Sequence, residues 1–174
     1  MEYLSRPDGV VLLGGVGDAL SRLRAAGFRL IVISNQSGIG RGYFTVADVE
    51  RVNARVQELL ASAGVKFDQI YFAPEVPGVP SRGRKPSPQF LFDARDELHL
   101  DLAESYMVGD KVSDLQCGWN AGVKKSILVR TGYGREVEQE EPEAIKAALI
   151  VDDLPAAAAW ILQNDLVLKK DVKP

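Results

Sequence analysis

Cysteine and histidine are nearly absent, and what is missing narrows the chemistry at once. Cys117 is the only cysteine and His99 the only histidine in 174 residues. A single thiol excludes an internal disulfide and suits a reducing compartment, so a cytoplasmic protein is expected. The two residues lie apart in the sequence, so no zinc site can be assembled from them. Basic charge is not in excess either. The net charge of −3 withholds the positive surface that non-specific nucleic-acid binding needs. No apolar run approaches membrane-spanning length, and no basic-then-apolar leader follows Met1. Repeats and low-complexity tracts are also missing.

What remains has ordinary soluble composition, 46% apolar and 26% charged, and a length suited to one domain over residues 1–174. Residues 18–26 carry apolar positions at helical spacing and end before Gly27. Residues 28–34 are rich in β-branched side chains and predict a fully buried strand. Thr45 caps a long helix, with Asp48 three residues on approximating a capping box. A short strand over 68–73 leads into a proline- and glycine-rich stretch, 74–86, and then a helix with Ser87 as N-cap and Pro88 at N1. A strand over 105–108, a helix over 112–121 and a strand over 126–130 follow. A polar loop is expected through Glu143, then a last strand (148–151) and a last helix (155–163). Strand and helix alternate, so the fold class is α/β, a three-layer Rossmann-like sandwich around a mostly parallel sheet.

Three strand ends carry the chemistry. After the first strand comes Ser34-Asn35-Gln36-Ser37-Gly38, small and polar enough to bring N–H groups and a hydroxyl against a phosphate. Arg84-Lys85-Pro86 supplies fixed positive charge. Gly109-Asp110-Lys111, with Asp114 one helical turn later, sets two hard carboxylates beside an ammonium, a combination suited to Mg²⁺ and a phosphate. Each element has a plainer reading: Ser34 as a turn former, Lys85 as a solvated charge, Asp110 as a helix cap. On the Asp110 segment alone the metal and cap readings stand level. A doubly wound sheet, however, brings its strand ends to one crevice. His99, Cys117, Trp119 and Trp160 read as helix-end or packing residues.

In order and character these elements resemble the haloacid dehalogenase (HAD) superfamily of phosphatases, and within it the branch of heptose-bisphosphate and histidinol-phosphate phosphatases. The match runs through residues 3–20, 32–45 (including Asn35-Gln36-Ser37-Gly38), 84–86, 106–114 and 128–134. The resemblance implies Mg²⁺-dependent phosphomonoester hydrolysis of a small sugar or alcohol phosphate by a monomer. It implies that Ser34 binds phosphate, that Asn35, Gln36, Ser37 and Lys111 contact substrate, and that Lys85 neutralises the transferring group. Arg84 helps select the substrate, Tyr3 lies near the leaving group, Asp110 ligates Mg²⁺ and Asp114 acts just beyond it as the second metal-site carboxylate.

The family's Asp-x-Asp-Gly motif, which supplies its nucleophile and its acid/base, has no counterpart here. Arg6-Pro7-Asp8-Gly9 is a superficial likeness without a preceding apolar strand. Alignment places the motif about ten residues before Tyr3, roughly and upstream of Met1. The expectation is therefore a fragment lacking the first central strand, with two sheet edges unpaired and no turnover. The four positions where many relatives hold structural zinc read Ala73, Glu75, Ser81 and Gly83, so no zinc is expected. The alternative is a non-catalytic pseudophosphatase that holds a phosphorylated ligand. A receiver-like signalling domain shares the acidic and lysine groups but not the Asn-Gln-Ser-Gly or Lys85-Pro86 segments.

Overall fold

The protein is described from a computed structural model covering residues 3–171, with side chains through residue 165. Short parallel strands carry the fold: β1 (Ile31–Asn35), β2 (Gln69–Ala73), β3 (Tyr106–Gly109), β4 (Lys125–Val129) and β5 (Leu149–Val151). The helices are α1 (Val16–Ala25), the single turn α2 (Ser37–Gly40), α3 (Val46–Ala61), α4 (Gln89–Leu98), α5 (Val112–Ala121), α6 (Gly134–Glu140), α7 (Pro142–Ile145) and α8 (Leu154–Asp171).

Local chemistry sets the boundaries. Thr45 and Asp48 form the expected reciprocal capping box on α3, which satisfies two otherwise orphaned N–H groups. Gly122 closes α5 at a φ of 73°, a left-handed conformation that costs glycine nothing. Helix α4 starts one residue later than its sequence suggests. Pro88 takes the cap position, while the Ser87 hydroxyl accepts the Gln89 N–H at 3.3 Å.

Alternation along β4 builds the layers. Ile127 and Val129 face a core made with Leu20 and Leu23 of α1, Leu60 of α3 and Ile161 of α8. Leu128 faces the other way, against Leu115 of α5, Val137 of α6 and Ile145 of α7. Helices thus cover both faces of the strands, as a parallel arrangement requires.

The strands do not form one continuous sheet. β1 pairs with β2, and β3 pairs with β4, which pairs with β5; among the described residues no ladder joins β1 to β3. Between them lies a cavity of about 430 Å³, walled by residues 31–33 on one side and 106–108 on the other. The break corrects one expectation, since β1 is only partly buried along its length for want of a neighbour on that edge. Residues 10–13 do not fill the gap. They form no strand, and Val11 and Leu13 are 80% and 58% exposed.

The segment expected as a polar loop to Glu143 is helical instead, as α6 and α7. The Arg130 guanidinium grips both Glu138 oxygens at 2.7 and 2.8 Å, and Val137 and Ile145 anchor the two helices on Leu115 and Leu128. Two apolar anchors among acids are too few to show as a periodic stripe. Among the described residues no helix is long and apolar enough to cross a membrane.

Candidate active site

The loop after β1 is shaped by its own polar groups. Gln36 donates from Nε2 to Ser34 Oγ at 2.9 Å, and Ser37 opens the turn α2. Gly38 lies against the Phe44 ring with no room for a Cβ. Tyr3 packs on the same aromatic pair, its ring centroid 5.5 Å from Tyr43 and 5.7 Å from Phe44. The Asn35 side chain reaches across to the Lys85 backbone, accepting its N–H at 2.9 Å and donating to its carbonyl at 3.1 Å. A side-chain amide thus plays the part of a strand neighbour and fixes where residue 85 lies.

Lys85 is the keystone. Its ammonium donates to the carbonyl of Ile33 at 2.6 Å and to Asp114 Oδ1 at 2.7 Å. The two charged side chains are 11% and 7% exposed. Asp114 Oδ2 in turn accepts the N–H groups of Asp110 (3.1 Å) and Lys111 (3.0 Å). One hydrogen-bonded path therefore runs from the middle of β1, through Lys85 and Asp114, to the turn after β3. From behind, α5 pins the same segment. Asn120 Nδ2 donates to the Pro86 carbonyl at 3.0 Å and the Cys117 thiol to the Ser87 carbonyl at 3.2 Å. The Lys85–Pro86 peptide is cis. Burial pushes the Cys117 thiol up to about 11, with Lys85 opposing and Asp114 reinforcing the shift; the residue packs rather than reacts.

Asp110 accepts the Tyr133 N–H on Oδ2 at 3.0 Å. Gly132, at a φ of 61°, turns the chain beneath that carboxylate where a Cβ would collide with it. The Lys111 ammonium stands 4.1 Å from the centroid of the Tyr133 ring, a cation–π contact. Among the described residues no donor reaches Asp110 Oδ1, and no group of three or more His, Cys, Asp or Glu side chains gathers to hold a metal. One free hard oxygen beside bound phosphate is sufficient for Mg²⁺, which takes one or two carboxylates and completes its octahedron with water and phosphate oxygens. Asp114 has both oxygens engaged and is placed to orient its neighbours.

Not every expected residue points into this cluster. Ser34 Oγ bonds Gln36 rather than Lys85. Arg84 turns its guanidinium to the Glu75 carbonyl at 2.8 Å, and its N–H to Ser81 Oγ at 3.1 Å. Ser81 donates to Glu75 at 2.7 Å, so a polar clasp ties together two of the four positions where relatives were expected to hold zinc. Asp8 lies in an exposed 3₁₀ turn, Pro7–Gly9, with no strand before it. Tyr133, Gly132 and Asn35's grip on residue 85 were not foreseen as site-building features. The only hint was the Thr131-Gly132-Tyr133-Gly134 run after an apolar strand.

Comparison with known proteins gives this geometry its context. Residues 83–157 match the HAD-hydrolase-like family. The chain is 38% identical to the D-glycero-beta-D-manno-heptose-1,7-bisphosphate 7-phosphatase of Escherichia coli K12 over 183 aligned positions, covering 99% of this chain and 88% of that protein. It is 37% identical to the D-glycero-D-manno-heptose-1,7-bisphosphate 7-phosphatase of Chlorobaculum tepidum, covering 92% and 86% respectively. Among solved structures, the D,D-heptose 1,7-bisphosphate phosphatase of B. bronchiseptica, complexed with magnesium and phosphate, superimposes with a TM-score of 0.84. That match has 33% identity and covers 93% of this chain and 89% of that one. Near-full-length identity of this order, on the same fold, shows that the chain belongs to the D-glycero-D-manno-heptose-1,7-bisphosphate 7-phosphatase family of HAD-like hydrolases.

Proposed function

We propose that this chain is the phosphate- and magnesium-holding body of a phosphomonoesterase acting on a heptose 1,7-bisphosphate, with residues 1–174 working as one unit. The observation that carries the reading is the path from Ile33 through Lys85 and Asp114 to Asp110, which ties β1 to the turn after β3 through one ammonium. Relatives named for that substrate, and a related structure holding magnesium and phosphate, support it.

In this reading Ser34 and the N–H groups of the loop after it bind the phosphoryl oxygens. Lys85 and Lys111 offset their charge, and Gln36 orients the Ser34 hydroxyl. Asn35 and Asp114 act by position, since the first fixes the residue 85 backbone and the second the 85 ammonium and the turn at 110. Asp110 would hold magnesium, which when bound supplies a Lewis acid toward a phosphoryl oxygen. Ser37 and Tyr3 border the substrate, and Arg84 helps choose it from the 74–86 loop.

Hydrolysis also needs a group to attack phosphorus and one to protonate the leaving oxygen. No described carboxylate other than Asp110 and Asp114 stands at this cluster. The 174 residues are therefore expected to bind phosphate and not to release it from an ester. Calorimetric titration should show inorganic phosphate binding that strengthens with Mg²⁺ and weakens at least tenfold in Lys85→Met. A malachite-green assay with heptose bisphosphate should stay at background. Absence of phosphate binding would refute the site. Mg²⁺-dependent release that Asp110→Asn abolishes would refute the expected inactivity. The second reading, a ligand-holding pseudophosphatase, shares the binding result. It separates if heptose bisphosphate binds no better than an unrelated phosphate ester, since a body shaped for the heptose should prefer it.

A further inference from the structure

Two ammonium groups stand at the candidate site, and their surroundings differ. Lys85 uses two of its three N–H donors on the Ile33 carbonyl and on Asp114, and that carboxylate offsets its charge. Lys111 is exposed on the turn after β3, with its backbone N–H held by Asp114 Oδ2 at 3.0 Å. Among the described residues its ammonium has no carboxylate or carbonyl partner. It lies instead over the ring of Tyr133, 4.1 Å from the centroid. That ring is firmly seated. It packs against the cluster of Leu115, Leu128, Val137 and Ile145, and the Tyr133 carbonyl accepts the Val137 N–H of α6 at 3.0 Å. The Tyr133 N–H donates to Asp110 Oδ2, so one residue touches both the Asp110 carboxylate and the Lys111 ammonium.

We propose that Tyr133 is a positioning residue, whose ring presents Lys111 to the phosphoryl oxygens of the substrate with charge and N–H donors undiminished. The inference rests on the phosphate-binding part of the proposed function. The Lys85–Asp114 pair carries no net charge, so of these two ammonium groups only Lys111 adds net positive charge for an arriving dianion. An exposed lysine has a flexible four-carbon stem, and ordering it costs entropy at the moment of binding. An aromatic face limits that freedom beforehand, because the ring quadrupole attracts the cation. A carboxylate in the ring's place would restrain the side chain too. It would also cancel the charge and occupy donors that a phosphate needs. The ring restrains the ammonium and leaves it cationic.

The test is calorimetric titration of inorganic phosphate, with Mg²⁺ present, into the intact chain and variants at position 133. Tyr133→Leu keeps an apolar side chain on the Leu115–Leu128 cluster and removes the ring. It should weaken binding roughly fivefold, the size of an exposed cation–π contact. Tyr133→Phe keeps the ring and should bind within about twofold of the parent. Phenylalanine fluorinated stepwise at this position preserves shape while draining the quadrupole, and affinity should fall with each fluorine. In a Lys111→Met background, itself about tenfold weaker, Tyr133→Leu should change nothing more. NMR of protein carrying isotope-labelled lysine gives a second readout. One ε-methylene signal, assigned by its loss in Lys111→Met, should lie upfield through the ring current and rejoin the other lysines in Tyr133→Leu. Three results would overturn the proposal: affinity indifferent to fluorination, equal losses from Tyr133→Leu with and without Lys111, or an ε-methylene signal unmoved by removal of the ring. All three leave phosphate binding by the parent intact. A parent that binds no phosphate would overturn the site reading and this proposal together.

Discussion

Lys85 and Asp114 set the character of the site at the scale of single residues. A charged pair so thoroughly enclosed costs several kcal/mol to desolvate and persists only where geometry and further hydrogen bonds compensate. Here the ammonium also bonds Ile33 and the carboxylate two N–H groups. Removing both partners should therefore cost less than the two single removals added together. Lys85→Met and Asp114→Asn are each expected to lower unfolding free energy by about 3 kcal/mol in urea titrations. The double variant should lose about 2 kcal/mol less than the sum. Additive losses would mean that the pair is not coupled as its 2.7 Å separation implies.

Asp68 does comparable work between elements. Lying just before β2, it accepts the Leu30 N–H at 2.8 Å and pairs with Arg29 and Arg24 at 2.9 and 3.1 Å. One carboxylate thereby ties α1, the entry to β1 and the start of β2. Its burial raises the pKa, but the Leu30 N–H and the two guanidinium groups outweigh that, and the net direction is downward. A carboxylate held below its unfolded value of about 3.9 stabilises the fold above that pH. The contribution is lost as pH falls through the folded value. Asp68→Asn should cost about 1–3 kcal/mol at pH 7, with the gap to the parent constant down to pH 5 and closing below about 4. A gap that persisted undiminished at pH 2.5 would show that the charge is not what holds these elements.

At the scale of the molecule, the divided sheet governs stability. Ladder-side groups of β1 and β3 are paired, while among the described residues no strand lies beside the cavity-side groups of the same strands. Hydrogen exchange of the free chain should therefore alternate. Val32, Ser34, Met107 and Gly109 are expected to be protected, and Ile31, Ile33 and Val108 to exchange at least tenfold faster. Uniform protection along both strands would mean that the edges are satisfied in solution by something other than a ladder. The same cavity borders the candidate site, because Lys85 both lines it and pairs with Asp114.

Much of this was legible along the chain. The capping box at Thr45 and Asp48, the α5 helix and the alternation of strands and helices depend on neighbours a few residues apart. So do the polar loop after β1 and the Gly-Asp-Lys turn after β3, and local propensity and periodicity record such features directly. Three things were not legible. The Arg130–Glu138 grip that makes a helix of an acidic stretch joins residues on different elements. The turning of Arg84 toward Glu75 and the placing of Lys85 by Asn35 depend on how loops meet. Sequence by itself determined which polar and charged groups stand after each strand, because residue type and local spacing decide chemistry. Only the tertiary structure decided which groups touch, and that β1 and β3 face each other across an open slot, because those facts arise from contacts between residues dozens of positions apart.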